Sequence, residues 1–219
     1  MSTSIVDTTD FEKCEMGASS SGRIPIPRGP KPATYLNFAK DDLNDAPSQR
    51  AWVNSLSNAK RALHFQVDLL SEAFGIKQAK LGKRLSFPEK LKFCVDCGVV
   101  GPRILNKINH LRNAVEHDYY IPTKDEAEDF VDVVELFLSA TNPLINNFHD
   151  WVELFTRKKG GSSTSILVHI DFAPNKGVIN ISATKSNGKS ETKDYEIKAE
   201  DGAIYYKWVK FILSRIQEN

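Results

Sequence analysis

Cysteine is scarce in this sequence, with three residues in 219. So small and odd a number excludes the disulfide framework on which many small secreted domains depend. Cys94 and Cys97 are spaced as CxxC, but no second CxxC or CxxH pair completes a tetrahedral metal site. Cysteine is also an ordinary residue of helix cores. We therefore expect a protein of the reducing cytoplasm that carries no metal or other cofactor.

Long apolar runs and an excess of one charge are also missing. No apolar run approaches the ~20 residues that span a bilayer, and the first residues lack the apolar core of a signal peptide. The 29 Lys and Arg residues nearly balance the 28 Asp and Glu residues, which leaves a net charge of +1. No overall field therefore draws the protein to nucleic acid or to a membrane. We expect no membrane partner, and any RNA binding must depend on local patches.

The N-terminal part of the chain has little that could form a core. Residues 1–33 are rich in Ser, Thr, Gly and Pro, which predicts a flexible tail. From residue 34 to residue 157, apolar residues recur at three- and four-residue steps, which predicts an antiparallel helical bundle. Capping boxes begin two of its helices, at Ser86 and Thr123. Pro143 should kink or break a helix that continues to Phe155.

The hydrophobic period changes to two after about residue 158. Alternation over 166–172, a turn signal at Asn187-Gly188 and a final amphipathic stretch predict a three-stranded antiparallel meander with a C-terminal helix over 158–219. His169 and Asp171 fall on the solvent side of the first of these strands. The predicted fold class is therefore mainly α: a helical bundle with a small β appendage.

Residues 101–122, GPRILNKINHLRNAVEHDYYIP, form the most informative stretch. A narrow apolar stripe predicts a helix whose stripe, ending at Tyr119, faces the core. The other side carries short side chains that both donate and accept hydrogen bonds, with Arg112 and Glu116 at its flanks. These side chains are Asn106, Asn109, His110, Asn113 and His117. Such a face suits a contact surface or a ligand cleft, and the alternative is an ordinary solvated face.

The polar face combines groups that suit phosphodiester chemistry. His117 titrates near neutrality, as a general acid or base must. Arg112 supplies a charged fork for phosphate oxygens. A single histidine cannot easily act as base and acid in one step. Two copies of the face across a dimer axis would supply both groups.

A basic stretch precedes this segment and is the strongest local charge in the chain. Between residues 76 and 92 a single acid, Glu89, accompanies six cations: Lys77, Lys80, Lys83, Arg84, Lys90 and Lys92. They could contact an RNA backbone or simply keep a loop in solution.

The sequence Arg112-Asn113-Ala-Val-Glu-His117 resembles the signature of HEPN domains, in which Arg, a polar residue and a later His lie near the end of a bundle helix. The resemblance implies a homodimer with a composite, metal-independent endoribonuclease site. His117 would be the acid–base group, Arg112 would bind phosphate, and Asn113 would orient them. The implied reaction is attack of the RNA 2′-hydroxyl on the adjacent phosphate, which gives a cyclic phosphate end.

With Tyr119, the same residues also resemble the motif of HEPN toxins that are paired with minimal nucleotidyltransferase antitoxins. In that group the antitoxin adenylylates the tyrosine, and related systems act in phage defence. The β appendage and the N-terminal tail depart from the compact members. Two other interpretations stay open: a non-catalytic HEPN-like module that binds RNA, nucleotide or protein, and an unrelated helical protein in which Arg112 and Glu116 form an i,i+4 pair.

Overall fold

Five strands form a single antiparallel sheet in the order β1-β2-β3-β4-β5. The computed structural model describes residues 7–44, 48–80, 85–99, 121–156 and 165–217. The strands are β1 Glu15–Gly22, β2 Phe148–Phe155, β3 Ser165–Asp171, β4 Val178–Ser186 and β5 Ser190–Lys198. Strands β3, β4 and β5 are the predicted meander, and a tight loop at Asn187-Gly188 joins the last two.

Six α-helices lie within the described residues. They are α1 Pro32–Asn44, α2 Gln49–Ala73, α3 Ile76–Ala79, α4 Phe87–Asp96, α5 Lys124–Asn146 and α6 Ala203–Gln217. Both predicted capping boxes are present: the backbone N–H of Ser86 donates to Glu89, and that of Thr123 donates to Glu126, each over 2.8 Å. None of the described helices is long and apolar enough to cross a membrane.

The prediction of a mainly α protein with three strands is wrong, because a five-stranded sheet makes the fold mixed α/β. The main error lies at Pro143, which sits inside α5 rather than ending it. Three residues later the helix ends, and the supposed second helical segment is strand β2. Its sequence does not show the two-residue alternation of a strand, because aromatic residues lie on both of its faces. Phe148 and Val152 point inward, while Trp151 and Phe155 are half-buried on the other side.

The described part of the predicted flexible tail, residues 7–33, is structured. A 3-10 helix, Thr8–Phe11, packs the Phe11 ring 5.8 Å from that of Trp208. Strand β1 then pairs with β2 along the edge of the sheet. Ile24 is buried and its N–H donates to Ile145 over 2.9 Å. The prediction failed because β1 is mostly Ser and Gly, and backbone hydrogen bonds rather than apolar side chains hold it in the sheet.

The core lies between one face of the sheet and the helices. Alternate residues of β2, β3 and β4 are buried on that face, among them Val152, Ile170 and Ile181. Helix α6 contacts both layers. The Tyr205 ring lies 6.3 Å from that of Phe172, which follows β3, and its buried hydroxyl donates to the Phe74 carbonyl at the end of α2 over 2.8 Å. The sheet includes strands from both sides of residue 157, so helices and sheet share one core.

Candidate functional site

The residues of the predicted composite site lie outside the described residues. They are Arg112, Asn113, His117 and Tyr119, with the further polar-face residues Asn109, His110 and Glu116. The described chain approaches this segment from α4, whose last turn is closed by the Cys97 N–H donating to the Phe93 carbonyl over 3.0 Å. It resumes before α5, at the Thr123 capping box. The roles of the motif residues therefore stay predictions.

Three described lysines of the basic stretch form ion pairs. The pairs are Lys77 with Glu72 at 3.0 Å, Lys90 with Asp68 at 2.8 Å and Lys92 with Asp96 at 2.8 Å. Lys80 is exposed at the end of α3, while Lys83 and Arg84 lie outside the described residues. Hydrogen bonding to Asp96 raises the pKa of Lys92. Neighbouring acids therefore offset much of the positive charge that the sequence alone suggests.

The CxxC pair is part of the core. Cys94 and Cys97 are both buried, and burial raises the pKa of each thiol far above its usual value. A thiol kept protonated is a poor nucleophile and a poor metal ligand. Across the described ranges, no group of three or more His, Cys, Asp or Glu residues could hold a metal ion.

His169 and Asp171 lie on the solvent-facing side of β3, as predicted. Glu153, opposite His169 in the neighbouring strand, places a carboxylate oxygen 3.9 Å from the imidazole Nδ1. The Trp151 ring stacks on His169 with centroids 5.7 Å apart. The three side chains form a partly exposed cross-strand cluster.

The structure reveals a cleft beside α1 and α2 that sequence reasoning missed. Its volume is about 320 Å³. The α1–α2 cleft is lined by Tyr35, Lys60, Arg61, His64, Phe65 and Asp68. The α2 residues lie at steps of one, three and four, which places them along one side of the helix. Helix α1 contributes Tyr35, and a hydrogen bond of 2.8 Å from Asn58 to Asp42 links the two helices.

Several contacts hold the walls of this cleft. His64 stacks on Phe87 of α4, with ring centroids 4.0 Å apart and planes 8° from parallel. Asp68 is paired with Lys90, and Arg61 donates to the Asn58 side chain over 3.1 Å. Two cations, Lys60 and Arg61, thus line the cleft beside a single carboxylate that is already paired.

A local signal for the cleft existed in the sequence. Lys60, Arg61 and His64 lie within two turns of one helix, next to the aromatic Phe65. The contribution of Tyr35 could not be anticipated, because it depends on how α1 packs against α2.

No family model matches the chain, and no curated protein or solved structure matches it either.

Proposed function

We propose that this protein is a metal-independent endoribonuclease of the HEPN type that acts on single-stranded RNA. The observation that carries the proposal is the spacing of Arg112, Asn113 and His117 on a predicted amphipathic helix. These are the side chains needed to bind a phosphate and to move protons at neutral pH. The resemblance to the HEPN motif supplies their roles.

The motif segment lies in the chain between two described helices. Helices α2, α4 and α5 belong to one helical layer with a shared core, and the motif segment connects the last two. The predicted starts of α4 and α5 are confirmed by their capping boxes. The resemblance implies a motif helix that follows a capped short helix, and α4 is a capped short helix.

The proposed reaction needs one base and one acid. His117 of one copy takes the proton of the 2′-hydroxyl while the 2′-oxygen forms a bond to phosphorus. The bond from phosphorus to the 5′-oxygen breaks, and His117 of the second copy gives that oxygen its proton. Arg112 offsets the charge that develops on the phosphate oxygens. The products are a cyclic phosphate end and a 5′-hydroxyl end.

Cleavage of end-labelled single-stranded RNA by the purified chain in EDTA tests the proposal. We expect products with cyclic phosphate ends, and a loss of at least about 100-fold in rate for His117→Ala, as is typical when a general acid–base group is removed. His169→Ala is the matched control, since this histidine lies on the sheet. Equal cleavage by the wild-type protein and His117→Ala would refute the assignment.

A toxin or phage-defence role follows from the variant motif with Tyr119. In this role the cytoplasmic protein would pair with a nucleotidyltransferase-type antitoxin that transfers AMP from ATP to the Tyr119 hydroxyl and releases pyrophosphate. Co-expression with such an enzyme, followed by intact-mass measurement, tests this; no added AMP on the wild type, or the same addition on Tyr119→Phe, contradicts it.

A non-catalytic RNA-binding module is the second candidate, and the cations and aromatic rings that line the α1–α2 cleft favour it. Tight RNA binding by a wild-type protein that releases no product in EDTA would select this function over the nuclease.

A further inference from the structure

We propose that the α1–α2 cleft holds one nucleotide of single-stranded RNA, with its base against the aromatic wall and its phosphate on Arg61. This inference rests on the proposed function in taking RNA as the substrate. It deepens that function by placing a nucleotide of the substrate away from the predicted composite site.

The size of the cleft suits one nucleotide. Small-molecule sites in proteins typically have volumes of about 300–1,000 Å³, and this cleft, which is open to solvent, has about 320 Å³. It therefore suits one base with its sugar and phosphate rather than a longer stretch of chain.

The charges of the cleft favour an anion. The Asp68 carboxylate, the one acid that lines the cleft, is paired with Lys90 over 2.8 Å. The Asn58 side chain takes one of the five N–H donors of Arg61, and the exposed guanidinium keeps others for phosphate oxygens.

The aromatic residues of the cleft favour a base over other anionic groups. Tyr35 and Phe65 line the cleft as half-buried side chains, and His64 is held flat against Phe87. Bases stack on such rings with little dependence on sequence. An acidic peptide would use the cations but not the rings, and an apolar ligand would leave the cations unused.

The cleft also gives the predicted basic stretch a place in RNA binding. Lys90 belongs to that stretch and reaches the cleft through its 2.8 Å pair with Asp68. Because Lys90 lies on α4, an RNA strand that leaves the cleft past Lys90 would run along that helix. The RNA backbone contacts predicted from sequence would then continue the path that the cleft begins.

Fluorescence anisotropy of a short labelled single-stranded RNA tests the inference, with all cleft variants made in His117→Ala and EDTA so that the RNA stays intact. We expect Arg61→Gln to weaken binding and to lower the slope of log K against log salt by about 0.7, the loss of one phosphate contact on a single strand. Lys176→Gln, on the exposed turn between β3 and β4, is the matched control. It should change neither the affinity for RNA nor the salt slope.

Tyr35 tests the base contact. We expect Tyr35→Ala to weaken RNA binding about tenfold, since stacking of a base on an aromatic ring is worth ~1–3 kcal/mol. Tyr35→Phe should bind as the parent does, and an abasic ribose-phosphate oligomer should bind equally to all three. Thermal melting of each variant separates loss of fold from loss of contact.

Each outcome decides for or against the cleft. RNA binding by Arg61→Gln and Tyr35→Ala at the control level, or no binding by the folded parent, overturns the inference. Equal weakening of RNA and abasic oligomer by Tyr35→Ala also overturns it, because the site would then bind phosphate alone. Cleavage by the wild type together with normal binding by the cleft variants would refute the cleft and leave the nuclease proposal standing. Weakened RNA binding by these variants, together with a wild-type protein that does not cleave RNA, would support the cleft and refute the nuclease proposal.

Discussion

Gly75 and Gly188 both have a left-handed backbone, with φ of +84° and +97°, but their surroundings differ. A Cβ on Gly75 would overlap the Gly177 Cα and lie 2.8 Å from its nitrogen, whereas a Cβ on Gly188 would meet nothing within 4 Å. The Asn187-Gly188 turn signal predicted the β4–β5 hairpin from the sequence. Only the packing shows that Gly75 also lets the end of α2 touch the β3–β4 turn.

Comparing the two glycines separates the cost of a left-handed backbone from the cost of steric overlap at the added Cβ. We expect Gly188→Ala to lower the free energy of unfolding by about 1–2 kcal/mol, the cost of a Cβ in this conformation. Gly75→Ala should cost about 1–3 kcal/mol more, because the chain must also move to relieve the overlap. Urea denaturation measures both. Equal losses for the two variants would show that the helix end and the turn are not in contact.

Strands β1 and β2 show why elements are harder to predict than turns and caps. The capping boxes at Ser86 and Thr123 were predicted correctly because a cap depends on residues only three apart in sequence. Strand β1 depends on a partner more than a hundred residues away, and its own side chains carry almost no pattern. Strand β2 carries a pattern, but aromatic residues on both faces made it resemble a helix.

The N-terminal 3-10 helix contributes to the stability of the whole domain. Phe11 is only 5% exposed and packs on Trp208 of α6, so Phe11→Ala should lower the free energy of unfolding by about 3 kcal/mol. Phe38→Ala is the matched control, since Phe38 is 46% exposed on α1 and should cost about 1 kcal/mol or less. Chemical denaturation compares the two. A negligible effect of Phe11→Ala on the free energy of unfolding would instead support the prediction of a flexible N-terminal tail.

At the scale of the whole molecule, the helices and the sheet form one unit with one core. Helix α6 follows β5, and its residues Tyr205 and Trp208 are buried against groups from α2 and from the N-terminal segment. The sheet is therefore no separable appendage. Its solvent-facing side, with Trp151 and His169, leaves one face of the molecule uncovered by the described helices.

The proposed reaction requires a second copy, because each chain supplies one motif histidine. We expect a homodimer of 24.6 kDa chains at micromolar concentration, and light scattering after gel filtration measures it. The cleft variant Arg61→Gln should stay dimeric. A monomer that cleaves RNA at full rate would rule out the composite site while leaving room for a site within one chain.

The sequence alone determined the features that depend on near neighbours. The helix starts, the hairpin at Asn187-Gly188 and the Arg112–His117 motif can all be read from a few adjacent residues, and the first two are confirmed. Only the tertiary structure decided the number of strands, the place of the N-terminal segment and the α1–α2 cleft. Each of these depends on distant parts of the chain. Backbone pairing and helix packing bring residues together without leaving a periodic trace in their sequence.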